Sequence, residues 1–470
     1  MKNLGVVITD GFGFRNFILS DFIYEAKNNF DTVVIYSCIP ASAFQKYNLN
    51  CKIVEIDQFN EKFITWFFRK AKEVAHLQLH RKNNFGIQDN FNTNKTKSNS
   101  PRGFATRIIY KITILIHSES WILQFNKWQQ LSFKNNSLSK EFGVLLKQDK
   151  IEVLFFTHQR PPFIAPLIYQ AELLKIKTVA FIFSWDNLAS KGRMAGNFNY
   201  YLVWSNLMKS DLLNFYQSIK PHQIDVVGTP QFEPYVLERY ETNKENFYKT
   251  FDLNPELPVI LFTCNDSSSK NDPYYLEILA KFIAQNKLKT NLIVRTSPAD
   301  EPIRFLYLQE KYPFIKWNFP DWKLTRENHA EPWSQRVPEF SDVETLKSVL
   351  QFSDVIVNVL STIILDGFLF DKPSICPVFG NKETNLETLE KFLKYPHLKQ
   401  VEDSHAVAIV KDKEDFLNIL NQVLINPTIR LEEQKKFIEL EIGMPLLGTS
   451  KRIVSTLINK NQSTNFKTPI

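Results

Sequence analysis

The segment from Ser353 to Phe379 constrains the fold more than any other stretch of this chain. It consists of a β-branched run from Val355 to Val359, a polar pair at Ser361 and Thr362, a short apolar segment with helical spacing, and a second apolar run. This order of strand, tight turn, helix and strand is typical of a buried parallel sheet covered by helices. The segment therefore predicts an α/β domain.

The Ser361–Thr362 pair occupies the place in such a unit where an anion can bind. The first N–H groups of a helix have no partner inside the helix, and the helix dipole favours negative charge there. We therefore predict that Ser361, Thr362 and the amides after them hold a phosphate. Asp366 follows Thr362 by four residues, one turn along the same helix face, within reach of a sugar hydroxyl. An ordinary βαβ unit with a Ser-Thr N-cap fits equally well, so both interpretations stay open.

Length and composition favour two globular domains. The chain has 470 residues, more than one typical core organises, and 44% of them are hydrophobic against 23% charged. The formal net charge of +7 suits an anionic ligand or an anionic membrane surface, but it is too modest for this length to indicate nucleic-acid binding. We therefore expect no nucleic-acid partner.

The cysteines and the first residues indicate a reduced, cytoplasmic setting. Cys38, Cys51, Cys264 and Cys376 lie far apart and form no metal-ligand pair. The opening residues, MKNLGVVITDG, are typical of a first β-strand rather than of a signal peptide. No apolar run approaches the roughly 18 residues of a membrane-spanning helix. We expect a cytoplasmic protein without a bound metal.

The first predicted strand, Leu4 to Thr9, leads into a turn with two glycines, Gly11 and Gly13, and then into a helix pattern. Strand, glycine turn and helix form the opening of a Rossmann-like half. The glycines fall short of the dinucleotide fingerprint, because no third glycine follows at the required position, so we predict no NAD site. Asp10 stands at the strand end, where it is either a base for an acceptor or an ordinary turn aspartate.

Residues 59–128 interrupt the alternation of strands and helices. Apolar residues recur there at helical spacing among basic residues, with Lys70 and Lys72 in one segment and Arg107 and Lys111 in another. The polar stretch at 83–101 is longer than an ordinary connection, so we predict a surface loop. The basic helices either pack within the domain, which is the simpler interpretation, or rest on an anionic membrane.

Two polar clusters follow predicted strands in the rest of the first half. Their notable residues are His158, Arg160, Trp185, Asp186, Asn187, Lys191 and Arg193. Ligands of open α/β sheets bind at the carboxyl ends of the strands. We therefore predict that His158 and Asp186, together with Asp10, are catalytic candidates, and that the others contact an acceptor or a phosphate. A lone histidine at such a place is more often structural, and only its neighbours favour a functional role.

The second half repeats the pattern, with predicted strands at Val259 to Thr263 and Asn291 to Arg295. Arg295 stands at a strand end, where a guanidinium can hold a diphosphate bidentately, unless it is a plain surface arginine. We place the domains at residues 1–230 and 231–440, followed by a C-terminal helix and tail at 441–470. Neither half contains a metal cluster, a Walker loop or a complete GxGxxG motif.

Three stretches resemble a known family. Ser353 to Pro373 is similar to the donor segment of nucleotide-sugar glycosyltransferases with the GT-B architecture, and Leu292 to Pro298 is similar to their strand-end Arg-X-X-Pro loop. Ser184 to Met194 resembles a SWDNL segment of predicted bacterial glycosyltransferases. The donor segment is also similar to that of CDP-glycerol glycerophosphotransferases and, distantly, to that of sugar-nucleotide 2-epimerases.

The resemblance implies an α/β fold of two Rossmann-like domains that face a cleft, with the acceptor at the first and the nucleotide-sugar donor at the second. It implies sugar transfer to a glycan or lipid-linked glycan in bacterial surface polysaccharide synthesis, by a cytoplasmic protein at the inner face of the plasma membrane. On this basis Arg295, Ser361, Thr362 and Asp366 bind the donor. No metal is required, because helix amides and a guanidinium can stabilise the leaving group.

Two other functions fit the same residues. A polyol-phosphate transferase of the CDP-glycerol type uses the same fold, and a non-catalytic protein that binds sugar nucleotides or glycans needs no base. Release of nucleoside diphosphate would favour the glycosyltransferase, and release of nucleoside monophosphate would favour the polyol-phosphate transferase. Saturable binding without turnover would favour the binding protein.

Overall fold

The computed structural model describes residues 2–56, 59–299, 301–329 and 331–462. The chain divides into two compact units. The first contains the chain up to Glu233 together with the described residues from Glu441 onward, and the second is Pro234–Leu440. Each unit is a Rossmann-like domain built on a parallel sheet with helices on its faces.

The first domain is built on seven parallel strands. They are β1 (Asn3–Ile8), β2 (Thr32–Ser37), β3 (Lys52–Glu55), β4 (Val153–Phe156), β5 (Lys177–Phe181), β6 (Tyr200–Val203) and β7 (Ile224–Val226). Their order in the sheet is β3-β2-β1-β4-β5-β6-β7. The central strands β1 and β4 are buried along their whole length, as their nearly continuous apolar sequences require in a sheet covered on both faces.

The described residues of the amino-terminal part of this domain form ten α-helices. They are α1 (Gly11–Ile18), α2 (Phe22–Asn29), α3 (Phe63–His80), α4 (Phe85–Thr93), α5 (Pro101–Ile112), α6 (Glu119–Leu131), α7 (Ser137–Gln148), α8 (Ala165–Leu173), α9 (Asn187–Ser190) and α10 (Asn206–Phe215). Helices α3 to α6 form the insertion predicted between β3 and β4, and they enclose an apolar cluster of their own.

The predicted surface loop at 83–101 is wrong in its first part, because α4 lies there. The Asn84 side chain accepts a hydrogen bond from the Ile87 N–H at 3.0 Å and so caps the helix. Ile87 and Phe91, four residues apart, are buried on one face. The asparagine-rich composition of this stretch concealed a capped amphipathic helix.

The second domain contains eight strands. They are β8 (Val259–Thr263), β9 (Asn291–Arg295), β10 (Lys316–Asn318), β11 (Trp322–Leu324), β12 (Arg336–Pro338), β13 (Val355–Asn358), β14 (Ser374–Pro377) and β15 (Val407–Val410). Six of them form a parallel sheet in the order β10-β9-β8-β13-β14-β15, and β11 pairs with β12 as an antiparallel ribbon. Its helices are α11 (Lys244–Thr250), α12 (Asp272–Ala284), α13 (Leu306–Lys311), α14 (Phe340–Phe352), α15 (Ile363–Phe368), α16 (Pro396–Ser404), α17 (Lys413–Ile425) and α18 (Leu431–Glu441).

A last helix, α19 (Thr449–Gln462), returns to the first domain and packs against α2 and β5. The Lys177 ammonium on β5 donates to the carbonyl oxygens of Lys460 and Asn461 at 2.9 and 2.8 Å, near the end of this helix. At the other end, the Ser450 N–H donates to the Glu233 carboxylate at 2.9 Å. The predicted tail beyond residue 462 lies outside the described residues.

Each parallel sheet has a point where the direction of its connections reverses. In the first sheet this point lies between the neighbouring strands β1 and β4, and in the second it lies between β8 and β13. In open α/β sheets the carboxyl ends of the two strands at such a point border the ligand-binding crevice. Functional groups are therefore expected in the loops after β1 and β4 of the first domain, and in the loops after β8 and β13 of the second.

No helix in the described part of the chain is both long and apolar enough to cross a membrane.

Candidate functional site

Asp10 and His158 form a buried hydrogen-bonded pair at the reversal point of the first sheet. Asp10 follows β1, and His158 follows β4. Because the two strands are neighbours, their ends bring together residues that are 148 positions apart in the chain. The Asp10 Oδ2 atom lies 2.9 Å from His158 Nδ1. The structure thus joins two of the three catalytic candidates that the sequence suggested.

The surroundings of Asp10 keep its carboxylate ionised and fixed in position. Its Oδ1 atom accepts a hydrogen bond from the Gly13 N–H at 2.8 Å and caps α1, while the Thr9 hydroxyl donates to Oδ2 at 2.8 Å. Burial alone would raise the pKa of this carboxyl, but the hydrogen bond and charge of His158, with the two other donors, hold the pKa below its ordinary value. The ionised carboxylate accepts a hydrogen bond from the N–H at His158 Nδ1.

Packing fixes the ring of His158 and leaves its second nitrogen, Nε2, without a hydrogen bond to the described residues. It stacks on the Phe183 ring, with centroids 4.1 Å apart and planes 17° from parallel, and its side chain is 10% exposed. Nε2 has no hydrogen-bond partner within the described parts of the chain. With Nδ1–H donated to Asp10, the neutral ring carries its lone pair on Nε2. This arrangement can act as a general base toward a ligand hydroxyl.

Gly13 allows the start of α1 to approach the end of β4. A Cβ atom at this position would lie 2.9 Å from Thr157 Oγ1 and 3.6 Å from Asp10 Oδ1. The Thr157 hydroxyl is itself fixed, because it donates to the Val7 carbonyl at 2.8 Å. Gly13 therefore permits close packing beside the hydrogen-bonded Asp10–His158 pair.

Asp186 and its neighbours form a polar network after β5. The Asn187 amide donates to Asp186 Oδ1 at 3.0 Å, and Lys191 Nζ lies 3.6 Å from Asp186 Oδ2. The Gln159 amide, next to His158 in the chain, donates to Asn187 Oδ1 at 3.2 Å. The network thus connects the ends of β4 and β5, but the structure shows no direct hydrogen bond between Asp186 and His158.

The structure gives Arg193 an internal role in place of the predicted acceptor or phosphate contact. Its guanidinium is buried and donates to both Glu119 carboxylate oxygens, at 2.9 and 2.7 Å, and its Cζ lies 4.2 Å from the centre of the Tyr216 ring. Trp185 is also buried. Arg160 is partly exposed, and its Nε has no partner among the residues described. Of the predicted phosphate contacts, Arg160 and Lys191 are the accessible cations.

In the second domain the loop between β13 and α15 contains the predicted phosphate site. Leu360 adopts a left-handed conformation, with φ of 49°, which turns the chain from the strand into the helix. Ser361 is partly exposed and Thr362 is exposed. The Ser361, Thr362 and Ile363 N–H groups have no acceptor in the part of the chain that the structure describes. These amides remain available to an anion, although α15 is only six residues long.

Two buried polar side chains border this loop without partners of their own. Asn358, at the end of β13, and Thr263, at the end of β8, lie opposite each other in the sheet. Both are buried, and neither the Asn358 amide atoms nor Thr263 Oγ1 has a hydrogen-bond partner among the described residues. An unmet buried polar group costs about 1–3 kcal/mol, so such groups mark a place that a ligand or water can complete.

Arg295 and Asp366 do not project freely into this region. The Arg295 guanidinium is buried, where it donates to both oxygens of Asp342 on α14, at 3.0 and 2.9 Å, and to the Asn318 amide oxygen. The Asp366 carboxylate is buried and accepts a hydrogen bond from the Tyr235 hydroxyl. The structure therefore places the predicted diphosphate clamp in a structural ion pair, and it gives the predicted sugar-binding carboxylate a partner in its own domain.

Sequence reasoning missed Phe183, Thr263 and Asn358. The first supports the His158 ring from the neighbouring strand, and the other two are unpaired at the reversal point of the second sheet. A polar residue closing an apolar strand, as in VIVN and VILFT, is the only sequence signal for the last two. No such signal exists for Phe183, because a phenylalanine near a strand end is common in a chain with 40 of them.

Comparisons with known proteins relate this chain to others through its fold. No protein-family model matches, and no curated protein is similar in sequence. Among solved structures, one of S. aureus MnaA with UDP has a TM-score of 0.55 and 11% identity, with 100% of each chain covered. A glycosyltransferase from Rickettsia africae ESF-5 has a TM-score of 0.52 and 11% identity, covering 98% of this chain and 99% of that one. The UDP-GlcNAc 2-epimerase from Neisseria meningitidis, bound to UDP-GlcNAc, has 0.51 and 13%, covering 98% and 100%.

These similarities confirm the predicted fold class. The chain has two Rossmann-like domains with a C-terminal helix, the fold that GT-B glycosyltransferases and UDP-GlcNAc 2-epimerases share. The identities, between 11% and 13%, do not carry an activity from these proteins to this one.

Proposed function

We propose that this protein is a glycosyltransferase that moves a sugar from a nucleotide-sugar donor to a hydroxyl of a glycan or lipid-linked glycan. The observation that carries the proposal is the Asp10–His158 pair at the reversal point of the first sheet. Sugar transfer requires a base that removes a proton from the acceptor hydroxyl, and His158 Nε2 is suited to that role. The unpaired amides and buried polar groups after β13 and β8 support donor binding in the second domain.

The proposed reaction balances without an additional reactant. His158 Nε2 takes the acceptor hydroxyl proton, the acceptor oxygen forms a bond to the anomeric carbon, and the bond from that carbon to the donor diphosphate breaks. The imidazolium that forms is stabilised by the Asp10 carboxylate, which lies 2.9 Å from Nδ1. The nucleoside diphosphate leaves as an anion, and the amides of Ser361, Thr362 and Ile363 would offset its charge. The proposal assigns proton removal and charge stabilisation to residues of this chain and includes no metal ion.

The other roles predicted from the sequence stand as parts of the same proposal. Asp186, through its network with Asn187, would orient the acceptor, while Arg160 and Lys191 would contact its phosphate if the acceptor is lipid-linked. We place the reaction in the cytoplasm, at the inner face of the plasma membrane, in the synthesis of a bacterial surface polysaccharide. The resemblance of the SWDNL and donor segments supports this setting.

The decisive experiment combines a binding screen with analysis of products. Purified protein is first screened against nucleotides and nucleotide sugars by thermal shift, since a donor at 100 times its dissociation constant stabilises the fold by about 2.7 kcal/mol. The donor found in this way is then incubated with candidate lipid-linked and soluble acceptors, and the nucleotide product is identified. We expect acceptor-dependent release of nucleoside diphosphate.

Other products would point to other functions. An altered sugar that stays on its nucleotide would indicate an epimerase, whose fold this chain shares. Nucleoside monophosphate would indicate a polyol-phosphate transferase. Binding without any turnover, over a broad set of acceptors, would indicate a non-catalytic binding protein. Each of these results would replace the proposal.

A further inference from the structure

Helix α5 in the insertion of the first domain exposes a continuous apolar stripe. Phe104, Ile108 and Ile112 follow one another at four-residue intervals and are all exposed. Ile114 and Leu115 extend this surface just beyond the helix, and Leu115 is 84% exposed. We refer to these five side chains as the α5 stripe. Since residues four apart share one face of a helix, the stripe is a surface feature rather than scattered exposure.

The opposite face of α5 is anchored in the domain, so the stripe is not the result of a detached helix. Ala105, Thr106 and Ile109 are buried, and α5 packs on α3. The Ser100 side chain caps the start of the helix through the Gly103 N–H at 3.1 Å. A fixed helix that buries one face and exposes large apolar side chains on the other is typical of an interaction surface.

Within its own stretch of sequence, the α5 stripe has charged residues of only one sign. Between Asp89 and Glu119 the chain contains no acidic residue. The same stretch contains five basic residues: Lys95, Lys97, Arg102, Arg107 and Lys111. Arg107 and Lys111, one turn apart, lie along the edge of the stripe, and the Arg107 guanidinium is 5.8 Å from the centre of the Phe104 ring. The surface therefore combines apolar side chains with a cationic border.

Not every basic residue of the insertion belongs to this surface. Lys72 is buried, and its ammonium donates to Asn126 Oδ1 at 2.8 Å and to the Ala195 carbonyl at 2.7 Å. Lys70 is partly buried and contacts Glu73 and Asn94. The sequence left open whether these two lysines, like Arg107 and Lys111, contact a membrane or pack within the domain, and the structure shows packing for Lys72.

We propose that the α5 stripe docks on an anionic lipid surface, with α5 lying parallel to that surface. Apolar side chains would enter the boundary between headgroups and acyl chains, while Arg107 and Lys111 would lie at the level of the anionic headgroups. The lack of acidic residues over this stretch is the argument for lipid, because it complements a uniformly negative surface. A second copy of this chain would present the same positive stretch, so its charge would not be complementary. The structure likewise gives no charge argument for a protein partner. The inference stands independently of the chemistry proposed above.

The test is co-sedimentation of the full chain with lipid vesicles. We expect binding to vesicles of equal parts phosphatidylglycerol and phosphatidylcholine, and much weaker binding to phosphatidylcholine alone. Neutralising Arg107 and Lys111 together, as Arg107→Gln with Lys111→Gln, should weaken binding about 25-fold, since each cation near the surface contributes about fivefold. Raising the ionic strength should weaken wild-type binding in the same direction.

A second variant tests the apolar part, and helix α7 supplies matched controls. Phe104→Ser with Leu115→Ser should weaken binding by more than about tenfold, because each removed methylene loses transfer free energy. The exposed Val144, Lys140 and Lys147 of α7 provide the controls: Val144→Ser, and Lys140→Gln with Lys147→Gln, should bind as the wild type does. Melting curves confirm that each variant is folded.

Three results would overturn the inference. The first is unchanged vesicle binding in both α5 variants, and the second is equal binding to neutral and anionic vesicles. The third is a dimer in sedimentation equilibrium that both α5 variants dissociate, since the stripe would then be an interface between copies of this chain.

Discussion

Replacing Asp10 by Asn separates the chemistry of the Asp10–His158 pair from its structural role. Asparagine is as good an N-cap as aspartate, so the hydrogen bond from the Gly13 N–H and the start of α1 should be preserved. The carboxylate that holds the proton on His158 Nδ1 is lost, and the amide no longer favours the ring form with its lone pair on Nε2. We expect a small change in stability and a large loss of turnover.

The magnitudes follow from these two roles. Loss of general-base catalysis costs about 10²- to 10⁴-fold in kcat, whereas exchange of one hydrogen-bonding group for another at a cap costs on the order of 1 kcal/mol or less. Asp10→Ala removes the cap as well, and it should add about 0.5–2 kcal/mol of destabilisation to a similar loss of turnover. Because the folded-state pKa of Asp10 is lowered, its stabilising contribution is present above its ordinary pKa and is lost as the pH falls through the lowered value.

The assay measures kcat, donor affinity and melting temperature for the wild type, Asp10→Asn and Asp10→Ala at neutral pH. Asp186→Asn is the comparison, because Asp186 has no direct hydrogen bond to His158 and should affect acceptor KM more than kcat. Near-normal turnover of Asp10→Asn, or a loss of activity fully explained by unfolding, would rule out a chemical role of the Asp10 carboxylate.

Three further predictions concern packing and buried charge. Gly13→Ala should lower both the melting temperature and kcat, since a Cβ there would lie 2.9 Å from Thr157 Oγ1 and 3.6 Å from Asp10 Oδ1. Full activity would show that α1 can shift to make room for the methyl group. Arg295→Ala should destabilise the second domain by about 3–5 kcal/mol in chemical denaturation, because the buried Asp342 carboxylate loses its ion-pair partner. Loss of nucleotide affinity alone, with unchanged stability, would instead support a role of Arg295 in holding the donor diphosphate. Burial and the nearby Asp211 raise the pKa of Glu441 to about 8, so that ionisation of this carboxyl opposes folding as the pH rises. Glu441→Gln should therefore raise the melting temperature above pH 8 and leave it unchanged below about pH 4.5. An equal effect at both pH values would contradict this prediction.

The fold was predictable because its signals are local. Buried parallel strands are continuous apolar runs, and helices between them show apolar spacing, so the sequence predicted two Rossmann-like halves. The same reasoning put Asp10 and His158 at strand ends. That the two ends are adjacent depends on the order of strands in the sheet, which brings β1 beside β4 across 148 positions of sequence, and no local pattern contains that order.

The partners of buried charges could not be predicted for the same reason. The sequence predicts that Arg193 contacts an acceptor or a phosphate and that Arg295 holds a diphosphate, since each lies at or beyond the carboxyl end of a strand and carries several N–H donors. The structure pairs them with Glu119 and Asp342, which are 74 and 47 residues away in the chain. A guanidinium that must be buried takes a carboxylate from whichever element packs against it, and the sequence does not show which element that is.

The most direct test of the account compares His158→Ala with the wild type in one assay of donor binding and acceptor-dependent release of nucleoside diphosphate. We expect the variant to bind the donor with unchanged affinity, because the groups proposed to bind the donor belong to the second domain, and we expect its kcat to fall by about 10²- to 10⁴-fold. Near-normal turnover in His158→Ala would contradict the assignment of this histidine as the base.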